Sequence, residues 1–115
     1  MPRLFTGRLP DINIGTDDGR SCHPELIIPL LEILAAQSQF SYVVNGRFKG
    51  GHITRHFGSP ANDVHALQIE LAQACYMDED HASYDEPRAA PLLELLQRLV
   101  AAMLRFSPAP QGDER

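Results

Sequence analysis

The chain is poor in cysteine, in long apolar runs and in basic residues. Its two cysteines, Cys22 and Cys75, are far apart and fit no CxxC pattern. They read as two reduced thiols in a cytosolic protein. No stretch approaches the ~18 consecutive apolar residues of a membrane-spanning helix. The opening MPRLFTGRLP also lacks the apolar core of a signal peptide. A cytoplasmic location with no membrane partner is therefore the expectation. Lys and Arg total 10 against 15 Asp and Glu, a formal net charge of -5, and aromatics make up only 7%. Both shortages speak against a general nucleic-acid binder. What remains is 115 residues at 43% hydrophobic and 22% charged, which suits one globular domain with a modest core.

Periodicity gives a coarse map. Asp11, Ile12, Asn13, Ile14 and Gly15 alternate polar and apolar as a strand does, and Asp17-Asp18-Gly19 follows as a turn. Pro24 suits a first helical turn, with Ser21 or His23 available as its cap. Leu26, Ile27, Leu30, Leu31 and Leu34 then share one helical face, and the helix is expected to end near Gln39. Pro29 is expected to kink that helix or to begin it. Residues 40–44 (FSYVV) read as a strand, and residues 59–62 (SPAN) as a turn. Residues 64–71 (VHALQIEL) fit a strand or a helix, and pattern alone does not separate the two. An acidic connection follows from Asp78 to Pro87. Residues 90–106 form the clearest helix, with Leu92, Leu95, Leu96, Leu99, Met103 and Phe106 on one face. The domain is drawn as residues 1–107, and 108–115 as a disordered polar tail.

One segment lacks acids altogether. Residues 45–58 (NGRFKGGHITRHFG) carry Arg47, Lys49 and Arg55 with His52 and His56, a local reversal of the chain's overall sign. Arg forks match carboxylate geometry, and glycines let backbone amides come close to a ligand. The segment reads either as a small-anion site or as a solvated surface loop. In an extended segment Arg47 and Lys49 point the same way. His52 and His56 would share a face and suit a metal only on a helix. The paired Gly50-Gly51 and the β-branched Ile53 and Thr54 argue instead for an extended loop, which sets the two rings ~13 Å apart. Glu70, between Ile69 and Leu71, is either an exposed surface carboxylate or a half-buried group suited to acid–base work.

Three segments together resemble the N-formylglutamate amidohydrolase family: residues 9–24 (LPDINIGTDDGRSCHP), 45–58 and 64–79 (VHALQIELAQACYMDE). The resemblance implies an α/β fold, the C-terminal part of an α/β/α sandwich with a mixed sheet, similar to zinc carboxypeptidase-like hydrolases. It makes residues 68–70 part of a strand. It implies hydrolysis of N-formyl-L-glutamate to L-glutamate and formate, the closing step of one histidine degradation route. Glu70 becomes the general base, while Arg47 and Arg55 hold the two substrate carboxylates and Lys49, His52 and His56 line the site. Zinc is expected for the full-length family, but its motifs, resembling PHAG and DAHS, do not occur here. No residue of this chain is assigned as a metal ligand. Family members are more than twice this length, so the chain is expected to be a C-terminal portion. By itself it should be inactive or nearly so, with a separate N-terminal half as a possible partner. The rivals are a non-catalytic anion-binding module, a phosphate or nucleic-acid binder, and a non-functional remnant.

Overall fold

The structure, a computed structural model, describes residues 9–46 and 48–106. Arg47 and the tail at 108–115, both singled out in the sequence, lie outside the described residues. Strand β1 (Ile12–Gly15) lies at the centre of a three-stranded mixed sheet. It pairs in parallel with β2 (Tyr42–Val44) and antiparallel with β3 (Gln68–Leu71). Helix α1 (Pro24–Ala35) connects β1 to β2, and α3 (Glu86–Leu104) closes the described chain. Between β3 and α3 lies a small hairpin of β4 (Met77–Asp78) and β5 (Ser83–Tyr84), where only an acidic connection is expected from the sequence.

The alternation in β1 divides the sheet into two unlike faces. Ile12 and Ile14 are fully buried on one face, opposite Leu71 and Ile69 of β3. Leu26, Ile27, Leu30 and Leu34 of α1 join Leu92, Leu95 and Leu99 of α3 in the same core cluster. The two helices thus pack together over the apolar face. Each such side chain contributes on the order of 2 kcal/mol when fully buried. Asn13 and Gly15 point to the other face, opposite Glu70 and Gln68.

The ends of the helices are set by local chemistry. His23 caps α1 by accepting the Glu25 N–H at Nδ1, 3.0 Å away. The helix runs through Pro29 and stops at Ala35, short of Gln39. The Gln37 amide causes this early stop: it donates to the Leu34 and Phe40 carbonyls and accepts the Phe40 N–H. Helix α3 starts four residues before the expected Ala90, because Asp85 caps it through the Arg88 N–H and Pro87 fits the first turn. Strand β3 begins only at Gln68. His65, part of the strand alternative for residues 64–71, is instead held by Asp63 at Nε2 (2.8 Å) and by the His23 N–H at Nδ1 (3.0 Å).

Candidate functional site

The polar face of the sheet carries residues 48–51 above it, held at successive levels. Asn13 is buried and donates from Nδ2 to the Phe48 carbonyl at 2.5 Å. One pleat further along, Gly15 lies against the Lys49–Gly50 peptide. A side chain there would collide with the backbone, so the bare Cα lets the segment settle onto the sheet. The Gly51 N–H then reaches the Gln68 side chain, donating to Oε1 at 2.7 Å. Gln68 Nε2 in turn donates to Glu70 Oε1 at 2.6 Å. A further hydrogen bond, from the Asp17 N–H to the Lys49 carbonyl (2.7 Å), ties the β1–α1 turn to the same segment. Asn45, at positive φ, accepts the Thr16 N–H and donates to the Thr16 hydroxyl, fixing where the segment leaves β2.

The segment is not extended beyond Gly51. Residues His52–Phe57 form a short helix, α2, contrary to the loop expected from Gly50-Gly51 and the β-branched pair. Propensity is outweighed here by tertiary anchoring. Thr54 is buried and donates its hydroxyl to the Gly51 carbonyl at 2.8 Å, beneath Gly50 at φ 116°. Gly58 closes the helix against Ser21, where a Cβ would lie 2.6 Å from the Ser21 backbone. The consequence is that His52 and His56 are one helical turn apart, not ~13 Å apart. Their rings stack with centroids 4.8 Å apart, and Phe57 meets His56 edge-on.

The structure places the sequence candidates unequally. Glu70 is half-buried on the polar face, and its link to the cationic segment runs through Gln68. His52, Arg55 and His56 are exposed on α2, and Arg55 Nη1 donates to the Gly50 carbonyl at 3.2 Å. Lys49 is not an unopposed cation: Asp18 Oδ2 stands 3.2 Å from its Nζ. The segment has no acid of its own, and the neighbouring turn supplies two. Asp17 pairs with Arg20 at 3.0 Å, and this hydrogen bond holds its carboxyl below the usual carboxylate range, with a smaller contribution from Arg55. Asn13, Gly15 and Gln68 are the residues the sequence reading left without a role. The alternation of Asp11 to Gly15 was the available signal for the first two.

A metal requires several converging ligands. Among the described residues, no three or more His, Cys, Asp or Glu side chains are grouped to hold one. The described residues therefore do not by themselves fit a zinc centre. Also among them, no helix is long and apolar enough to cross a membrane.

The family profile for N-formylglutamate amidohydrolase matches residues 1–77. The chain is 52% identical over 106 residues to an N-formylglutamate deformylase of Pseudomonas aeruginosa, covering 88% of this chain and 40% of the relative. It is 50% identical over 107 residues to the corresponding deformylase of Pseudomonas putida, covering 92% of this chain and again 40% of the relative. Among solved structures, it resembles N-formylglutamate amidohydrolase from Ralstonia eutropha JMP134 with a TM-score of 0.68 and 27% identity. That likeness covers 89% of this chain and 35% of the other. The chain thus spans about two fifths of the length of the curated relatives it matches, and it belongs to the N-formylglutamate amidohydrolase family.

Proposed function

We propose that this chain carries the substrate-carboxylate site and the general base for hydrolysis of N-formyl-L-glutamate. The observation that carries this reading is the Gly51–Gln68–Glu70 link, which joins a half-buried carboxylate to the Gly-rich cationic segment. The substrate is a dianion. Arg47 and Arg55 are assigned to its two carboxylates, and Lys49, His52 and His56 to the wall of the site. Glu70 is assigned to take the proton from the attacking water, which leaves the nucleophile ready for the formyl carbon.

Zinc remains the cofactor that family resemblance implies. Because the described residues group no set of ligands for it, they are assigned substrate and proton handling alone. The parent fold proposed for it is a larger α/β/α sandwich of the zinc carboxypeptidase kind, of which this mixed sheet would be the C-terminal part. Among the described residues the outer edges of β2 and β3 are unpaired, where further strands would add. Those strands would come from the remaining three fifths of the family's length, in the same polypeptide or as a separate N-terminal half.

The test is formate release and ligand binding measured on the same folded, purified chain. The expected result is binding of N-formyl-L-glutamate that falls at least tenfold in Arg55→Ala, with little or no formate released. Enzyme-like turnover by the chain alone would refute the half-site reading. Binding and any residual turnover that are both indifferent to Glu70→Gln would point to a non-catalytic anion-binding module.

A further inference from the structure

Gln68 occupies a position that the proposed chemistry does not yet use. Its amide is engaged at both ends, by the Gly51 N–H at 2.7 Å and by the Glu70 carboxylate at 2.6 Å. Only one orientation of the amide satisfies both partners. The N–H of Gly51 requires an acceptor, and the carboxylate requires a donor; the flipped amide would set donor against donor and oxygen against oxygen. A glutamine is therefore specified here chemically as well as by size. An ionised glutamate accepts from Gly51 but repels Glu70, and an aliphatic side chain does neither.

The surroundings fix this amide in place. Gln68 is paired across the ladder with Gly15, whose missing side chain allows the Lys49–Gly50 peptide onto the sheet. That close approach brings Gly51 down to the level of the Gln68 side chain. Gly51 is also the cap of α2, which has no side-chain cap of its own, and its carbonyl accepts from the buried Thr54. The Gln68 contact thus sets the start of the helix that bears His52, Arg55 and His56. At its other end it sets the carboxylate of Glu70. One side chain couples the placement of the base to the placement of the substrate-binding helix.

We infer that Gln68 is a positioning residue, holding Glu70 and the start of α2 in fixed relation through its two amide hydrogen bonds. The inference rests on the functional reading above for what Glu70 and α2 do, but the coupling itself is measured without any ligand. The experiment compares wild type, Gln68→Ala and Gln68→Glu by amide hydrogen exchange at Gly51 and by the side-chain carboxyl ¹³C resonance of Glu70. The expected result is a split. Gln68→Ala accelerates Gly51 exchange at least tenfold and moves the Glu70 resonance. Gln68→Glu keeps Gly51 protected yet still moves the Glu70 resonance. A merely structural role would alter Gly51 exchange and overall stability while leaving the Glu70 resonance in place, and that outcome overturns the inference. N-formyl-L-glutamate titrations separate the two levels. Binding that weakens in Arg55→Ala but not in Gln68→Ala removes Gln68 from the site and keeps the functional reading. Absence of binding by the wild-type chain removes the functional reading, while the two spectroscopic readouts still decide the coupling.

Discussion

A Cβ atom built on Gly15 would stand 2.6 Å from the backbone nitrogen of Gly50. The neighbour is backbone, held by Asn13 on one side and Gln68 on the other, so it cannot swing away as a side chain would. Gly15→Ala is expected to lift residues 48–51 off the sheet and to cost about 1–3 kcal/mol, the usual range for overpacking. Urea denaturation measures the loss. A variant as stable as wild type would mean that the segment does not sit as closely as described.

Lys49 and Asp18 form an ion pair between partly exposed side chains, with 56% and 41% exposure. Such pairs contribute about 0–1 kcal/mol to stability. Asp18→Asn should therefore leave the midpoint of unfolding nearly unchanged. If the proposed substrate site is right, it should also strengthen binding of N-formyl-L-glutamate several-fold at low ionic strength, because Lys49 no longer has a competing carboxylate. The gain should shrink near ~0.5 M salt, where charges are screened over a few ångströms. Calorimetric titration at two salt concentrations checks both parts; weaker binding in the variant would remove Lys49 from the anion site.

Acid stability should depend on the Asp17–Arg20 contact. The Arg20 hydrogen bond lowers the Asp17 carboxyl from its ordinary value of 3.8 in the folded protein. The group binds protons more readily unfolded than folded, so its contribution is present above about pH 3.8 and is lost as the pH falls through the lower folded value. Arg20→Gln should flatten that part of the stability profile between about pH 5 and 3. Parallel profiles for the two proteins would show that the pair is without effect at this exposed position.

Cys22 and Cys75 are buried and neither is in a disulfide. Burial pushes the Cys22 thiol above its ordinary value of 9.0. The unfolded thiol ionises first as pH rises, so stability should decline above about pH 9. At neutral pH neither thiol should react with an aromatic disulfide reagent until denaturant is added. A rapidly reacting thiol in the native chain would place one of the two cysteines at the surface.

Much of the frame was legible in the residues. The alternation from Asp11 to Gly15 marked β1, and the leucine spacing marked α1 and the buried face of α3. Both signals are local, because a repeat of two or of 3.6 residues is imposed by backbone geometry. Element ends were less legible, since they depend on single side chains such as Gln37 and Asp85 whose choice of partner is not written in periodicity. The same holds for Pro29, which disfavours a helix locally and yet lies inside one packed by four buried apolar side chains.

The sequence by itself determined the composition of the candidate site: a cationic Gly-rich segment, a carboxylate between apolar neighbours, and the motifs that resemble one amidohydrolase family. Only the tertiary structure decided how these parts meet. The helix at His52–Phe57 is anchored at its two ends by distant parts of the chain, Gly51 on Gln68 and Gly58 on Ser21, so local propensity pointed the wrong way. The pairing of Lys49 with Asp18 joins residues 31 positions apart, and the Gly51–Gln68 bond joins residues 17 apart. Contacts of that kind are set by which faces of the sheet are apolar and which backbone can approach it, and a linear pattern carries neither.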